Sequence, residues 1–480
     1  MERRVFELKI EKLQRQLWDR KSERVEPSDD KQRMLFVESS SRETTEAPLR
    51  ASATSCSTEP RSARVPKGPK PLDPRLARET IAVPAPPLER LICPVSRQPM
   101  HAGFVEQLEV LARRAPVFYV KRYERTVFVS PAKSPPVYSP WPADVLPRAR
   151  VHASIVAHIA AAHYCEHQPY FRIEKHLERI GVDLPRVCQV SLMEQLDGLT
   201  APLLTTLKQE VFASGYVQVD ATPIRQYDPA KPGRTREATL WVYRAKNGAV
   251  WFEHCGSKST EHPDATLRAM NFRGLCQTDG ASGLNNIGPP GQVISLGCMT
   301  HCRRGLFKAH KLGDRRARWY LEQIGKLFRV ERIARRYRLR PERKQRLRER
   351  VSVPVFRAMV LQAQDHAEIA PAKTDLGDAV RYLLNQQERL ERCLTTPESE
   401  ISTNSAERAI RPLKLGAKNW LQIGHPNAGP RLANLFTLVE NCRLLGIDPE
   451  RYLIDVITRI ADHPAAKIAE LLPHHWQAAS

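Results

Sequence analysis

Apolar spacing changes character several times along the chain. At the start, Phe6, Ile10, Leu13 and Leu17 fall at spacings of four, three and four. That is a two-heptad seam, and it predicts a short amphipathic helix within residues 1–38. The seam suits a weak oligomerisation element or a simple packed helix. Residues 39–90 lose all periodicity: Ser, Thr, Arg and Pro dominate, and seven prolines fall from Pro66 to Pro87. Such a stretch buries too little apolar surface to fold and reads as a disordered linker. Strand-like alternation returns over 91–130, as in "VFYVKRYERTVFVS", followed by a second Pro-rich stretch at 131–147. Over 148–212 the period becomes helical, with Ile155 and Ile159 on one face. There "FRIEKHLERIGVDLPRVCQVSLMEQL" reads as helix, glycine-containing turn, helix. This is either a helix-turn-helix, whose second helix would enter a DNA groove, or an ordinary helical hairpin.

The next stretch carries the most informative order. "GYVQVDATPI" (215–224), "ATLWVYRAK" (238–246) and "AVWFEHC" (249–255) alternate as strands. Asn247-Gly248 between the last two is a strong hairpin signal. "HPDATLRAM" (262–270) reads as a helix, and "GLCQTDG" (274–280) and "VISLGC" (293–298) as two more strands. The pattern gives a mixed α/β domain, in the element order of a ribonuclease-H-like fold. Residues 303–395 are mostly helical and very basic, above all "RRYRLRPERKQRLRER" (335–350). On charge alone that run is equally a solvated face or a DNA contact. Helical spacing resumes over 426–480.

Charge sharpens the choice of partner. The 480 residues hold 75 Lys plus Arg against 53 Asp plus Glu, a net charge of +22. The excess favours a polyanion, either nucleic acid or an acidic membrane surface. No apolar run approaches the roughly 18 residues of a spanning helix, and "MERRVFELKIEKLQRQL" has no signal-peptide core. We therefore expect no membrane partner and an intracellular protein that binds nucleic acid. The ten cysteines form no regular framework and are expected to be reduced thiols. Cys298 and Cys302 with His301 make a zinc half-site without a second cysteine pair, or simply buried small residues.

Three acids stand out. Asp220 lies near the end of the first predicted strand, Asp279 ends the fourth beside Gly280, and Glu407 lies early in a late helix. Neighbouring strands lie about 5 Å apart, so two aspartates at their ends can meet, and a packed helix can add a third carboxylate. Three carboxylates that close repel unless cations lie between them. Hard oxygen ligands suit Mg2+ or Mn2+, and two such ions support phosphodiester transfer. Taken singly, each acid has a plain structural role. Asp220 and Asp279 suit turns, and Glu407 with Asn404 fits a capping box.

Several motifs together resemble a known family. "ISTNSAERAIRPLKLGAKNWLQIG" (401–424) and "LFTLVENCRLLGIDPERYLIDVITRI" (435–460) look like the end of an insertion sequence 66 family transposase. "VDATPI", "LWVY", "CQTDGASG" and "GCMTHCRRGLFKAH" match it in the same order, and "LKIEKLQRQLWDRKSERVEP" resembles its leading helix. The resemblance spans nearly the whole chain and is weakest over 39–150. It implies an Asp-Asp-Glu (DDE) set on a ribonuclease-H-like domain at 213–425, with a basic helical insertion at about 303–395. The acids that match are Asp220, Asp279 and Glu407, separated by 59 and 128 residues. The implied partners are the element's terminal inverted repeats and target DNA, a second copy of the chain, and accessory transposition proteins in a bacterial cytoplasm. His301, Arg303 and Arg304, and Arg408, Arg411, Lys414 and Lys418 around Glu407, are the candidate DNA-binding residues. The plain alternative for them is a cationic surface. A DNA-binding relative without catalysis and a nuclease for RNA–DNA hybrids are the rival readings.

The chain departs from the family pattern twice. The family usually has Glu after the first Asp, where this chain has Ala221. The family also usually carries two Cys-x-x-Cys pairs near its N-terminus, where residues 91–147 keep only Cys93. One thiolate cannot build a four-ligand zinc site. This small module is thus expected to be a degenerate zinc-finger-like unit. Elemental analysis of the purified protein should find no bound zinc; about one zinc per chain would contradict this.

Overall fold

The structure is a computed structural model that describes residues 151–179, 182–257, 259–369 and 374–478. The predicted N-terminal helix (1–38), linker (39–90) and zinc-finger-like module (91–147) lie outside the described residues.

Three helices come first: α1 (Ala153–Ala160), α2 (Tyr170–Arg179) and α3 (Arg186–Ala213). In α3, Leu192, Leu196, Leu203, Leu207 and Val211 recur at helical spacing and are buried. The helix predicted to follow the turn is therefore a long core element. Among its described residues, α3 is fixed by Asp197, whose Oδ1 accepts from Asn434 Nδ2 at 2.9 Å, and by Lys208, 2.6 Å from Glu253.

The sheet follows, as β1 (Tyr216–Tyr227), β2 (Thr235–Ala245), β3 (Val250–Cys255), then α4 (Glu261–Ala269), β4 (Gly274–Gln277) and β5 (Val293–Leu296). The spatial order is β3-β2-β1-β4-β5. The first three strands are antiparallel, while β4 runs parallel to β1 and β5 parallel to β4. Gly248 takes φ +97° at the β2–β3 turn, which explains the Asn-Gly pair. One expectation needs correcting. Asp220 is not near the end of its strand, because β2 pairs with β1 as far as Tyr227. It is β4 that stops, after the Gln218–Gln277 pair. Asp220 thus sits mid-strand, just past the point where β1 loses its parallel neighbour.

Beyond β5 come α5 (Met299–Lys311), α6 (Arg316–Arg336), α7 (Pro341–Leu347), α8 (Val353–Ile369), α9 (Asp375–Asn385) and α10 (Gln387–Thr395). They form a core of their own around Leu306, Tyr320, Phe356 and Leu383. The chain then returns to the sheet with α11 (Asn404–Trp420), α12 (Ala428–Leu445) and α13 (Pro449–Arg459). Helix α12 covers the edge strand β3. The Asn441 side chain accepts from the Val250 amide and donates to its carbonyl, and Thr437 accepts from the Phe252 amide. An uncovered edge would present these groups to other chains. Among the described residues, no helix is long and apolar enough to cross a membrane.

The basic run at 335–350 is not uniform. Arg335, Arg336 and Arg338 are exposed, but Arg348 is fully buried. Its guanidinium holds Glu331 through two bonds of 2.7 and 2.8 Å and donates to the carbonyls of Cys393, Thr396 and Ser399. It therefore ties the insertion to the segment leading into α11. Arg348→Ala would strand the Glu331 carboxylate and take one donor from each of three carbonyls, and should cost about 3–5 kcal/mol. Denaturant unfolding would show this as a large fall in midpoint; an unchanged midpoint would refute it.

Candidate functional site

The three acids come from β1, the turn after β4, and the first turns of α11. Asp220 is half-buried. Burial raises its pKa, the Ala221 amide it accepts from lowers it, and the charges of Glu407 and Asp279 raise it again. Lys414 pulls the other way. The net shift is upward, with burial the largest cause and the two like charges adding to it.

The Asp279 turn is built by its own side chain and by the insertion. Asp279 Oδ1 accepts from the Ala281 amide at 3.0 Å. Tyr382 on α9 donates its hydroxyl to the Asp279 carbonyl at 2.6 Å, and Gln386 donates to the Gly280 carbonyl at 3.1 Å. Gly280 has φ +81°, and a Cβ there would lie 2.8 Å from the Tyr382 hydroxyl. Only glycine fits both constraints.

Glu407 is not a capping residue. The N-cap of α11 is Thr403, without a side-chain cap, and Asn404 is already helical. The Glu407 carboxylate turns outward instead, to Arg304 Nη2 at 3.3 Å and His301 Nε2 at 3.8 Å. Both lie on α5. Burial lowers the His301 pKa, but the neighbouring Cys298 sulfur outweighs it and the net shift is upward. Cys298 in turn accepts from the amide and hydroxyl of Thr403, both at 3.3 Å. Cys302 is buried, and burial pushes its thiol up to about 12, which suits a packed thiol.

The remaining cations divide around α11. Lys414 acts on Asp220, while Arg408 and Arg411 open into a separate cleft with Arg244 and Arg443. Lys418 is exposed, and Arg303 lies over the Phe307 ring at 5.2 Å.

Among the described residues, no three His, Cys, Asp or Glu side chains close tightly enough to hold a metal in this arrangement. The donor chemistry nevertheless fits a hard divalent cation. The three acids offer only carboxylate oxygens, and burial first, then the charges of Glu407 and Asp279, hold Asp220 above the usual carboxylate range. Arg304 now supplies Glu407 with the charge that a cation would replace.

The family model for the IS66 family of transposases matches residues 148–431. The chain belongs to the IS66 transposase family. The model of the IS66 C-terminal element matches residues 437–474, and one described as the transposase C of IS166 homeodomain matches residues 6–81. Among its relatives are three uncharacterized proteins of Sinorhizobium fredii. The chain is 28% identical to y4hP, over 99% of this chain and 89% of the relative. It is 29% identical to y4qI, over 67% of this chain and 62% of that one. Identity to y4jD is 24%, over 71% and 69%.

In this family member, two glutamines that sequence reasoning missed hold the acids in register. Gln218 and Gln277 are paired across β1 and β4, each two residues before an aspartate. Both are completely buried. Gln277 Nε2 donates to the carbonyls of Gly297 and Glu400, both at 2.8 Å, and its Oε1 accepts from the Tyr216 hydroxyl at 2.5 Å. Gln218 Nε2 reaches the Ser402 carbonyl at 3.1 Å, and its Oε1 accepts from the Ala406 amide at 3.2 Å. Ala406 is one of the first amides of α11, which have no partner within their own helix. The strand carrying Asp220 therefore caps the helix carrying Glu407. The signal was present: Tyr216, Gln218 and Asp220 alternate with Val217 and Val219, so one face of the strand is polar.

Ala221 lies on the opposite face and packs against the main apolar core. An alanine there removes no oxygen from the carboxylate side.

Gln277→Leu would leave the buried Glu400 carbonyl without a donor and the Tyr216 hydroxyl without an acceptor, while the Gly297 carbonyl keeps the Cys393 thiol. At about 1–3 kcal/mol for each of these two groups, the loss should be about 2–6 kcal/mol. Thermal unfolding should show a fall of several degrees; an unchanged Tm would mean the clamp does not hold the strands.

Proposed function

We propose that the chain is a DDE-type DNA transposase of ribonuclease-H-like fold. It binds the terminal repeats of its element, cleaves phosphodiester bonds there and joins strand ends to target DNA. Asp220, Asp279 and Glu407 would hold Mg2+ or Mn2+. When bound, these ions activate water or a 3′-hydroxyl and stabilise the leaving oxygen. The observation that carries the reading is that Glu407 and Asp279, from distant segments, lie near enough for their charges to act on half-buried Asp220. The sheet order with three antiparallel strands and then two parallel ones supports the fold assignment.

The chain's own groups have separate tasks. Gln218 and Gln277 fix the helix against the strands, so the carboxylates need not be ordered when DNA arrives. Arg304 and His301 neutralise Glu407 while no ion is held, and are placed to meet a phosphate when an ion takes over. Lys414 balances Asp220. The exposed arginines at 335–338 offer charge to the DNA backbone. The working unit would be an oligomer of the chain in a bacterial cytoplasm, with accessory transposition proteins.

The rival without catalysis is weakened by the position of Ala221 on the core side. Family membership favours DNA transposition over cleavage of RNA–DNA hybrids.

Asp220→Asn, Asp279→Asn and Glu407→Gln should each cut strand cleavage and joining by orders of magnitude, while folding and DNA binding persist. Cleavage at the wild-type rate by Glu407→Gln would return that residue to a structural role. Changing Arg335, Arg336 and Arg338 together to Ala should flatten the slope of log affinity against log salt, by up to about 0.9 for each phosphate no longer neutralised. An unchanged slope would make that run a solvated face.

A further inference from the structure

The flank of α11 next to Glu407 holds a feature that carboxylate chemistry leaves unused. It is a cleft of about 620 Å3, into which Arg244, Arg408, Arg411 and Arg443 project. Two of the four are already compensated. Arg443 pairs with buried Glu440, and Arg244 lies 3.5 Å from Glu400. Arg408 only donates to the Ser405 hydroxyl at 3.1 Å. Arg411 is exposed and forms no hydrogen bond or ion pair with the described residues. The cleft therefore keeps about two positive charges in excess.

Tyr164, Val439, Leu415 and Leu444 add apolar surface to its wall, beside the polar side chains of His167 and Ser405. Leu415 and Leu444 are 54% and 43% exposed, which for leucines at a cationic mouth is surface without a partner among the described residues. A phosphate alone would satisfy the arginines and leave the leucines in water. A nucleotide would satisfy both, with its phosphate on Arg408 and Arg411 and its base on the apolar wall. Volume decides the form of the DNA. A duplex is about 20 Å across and cannot enter a space of 620 Å3, whereas one or two unpaired nucleotides can.

Position supports the same occupant. Arg411 is one helical turn from Glu407, so their side chains are neighbours on α11, about 6 Å apart at Cβ. That is close to the spacing of successive phosphates along a single strand. We propose that this cleft binds an unpaired nucleotide of the reacting strand, one or two positions from the phosphate at the carboxylates. The assignment rests on the transposase reading only for the identity of that strand; the cleft's preference for unpaired DNA can be measured without catalysis.

The test uses the full chain and fluorescent duplex probes that are blunt, carry a three-nucleotide single-stranded tail, or carry the same tail without bases. The tailed probe should bind about tenfold more tightly than the blunt one, and the abasic tail should lose most of that gain. Arg411→Ala should reduce the gain severalfold, and Leu415→Asp should abolish the difference between normal and abasic tails. Both residues are exposed, so the variants should keep the wild-type Tm, and a circular dichroism melt checks this. Equal binding of tailed and blunt probes overturns the proposal, as does a tail preference untouched by both variants. Strand cleavage by the wild-type chain is read in parallel. A tail preference without cleavage would leave the cleft standing and count against the transposase reading, while cleavage without a tail preference would do the reverse.

Discussion

Mutual repulsion among three carboxylates is the constraint on which the rest of this structure depends. Asp220, Asp279 and Glu407 come from positions far apart in sequence, and the charges of the last two act on the half-buried Asp220. A fold that gathers them must hold them by other means, because they do not attract. The buried amides of Gln218 and Gln277 do this in the sheet, and Tyr382 and Gln386 do it at the Asp279 turn. Each of these groups bonds to backbone rather than to a carboxylate, so the acids stay available. Electrostatics then trims the site: Arg304 answers Glu407 and Lys414 answers Asp220.

The helical insertion has a structural part in this as well as a charged one. It has its own apolar core. It also reaches back to the site at three places, through Arg348 to the segment before α11, through Tyr382 to the Asp279 turn, and through α5 to Glu407. An insertion that only carried DNA-binding charge would need none of these. Its presence between β5 and α11 accounts for the 128 residues that separate Asp279 from Glu407.

Local signals in the sequence were enough for the sheet. Alternation marked the strands, and Asn247-Gly248 marked the hairpin, because both depend on neighbours in the chain. Long-range bonds were not legible in the same way. Asn404 and Glu407 have the spacing of a capping box, yet the orphan amide of Ala406 is taken by Gln218, 188 residues away. The arginine run at 335–350 read as one surface, but Arg348 is buried because Glu331 and three carbonyls converge on it. Asp220 was expected near a strand end, since nothing in its own segment reveals that β2 continues while β4 stops. The choice of Asp220, Asp279 and Glu407 rested on carboxylate chemistry and motif order together. The supporting glutamines escaped both, although their alternation with valine was visible.

The central claim is that these three carboxylates form one cation-binding unit. Titrating Mn2+ into the full chain without DNA, while following its thermal unfolding, tests this most directly. Binding to the folded state alone should raise Tm in a saturable way, by linkage. Asp220→Asn and Glu407→Gln should each abolish most of the rise, since either change removes a charge from the shared site. A rise of equal size in wild type and both variants, or no rise at any Mn2+ concentration, would contradict the account.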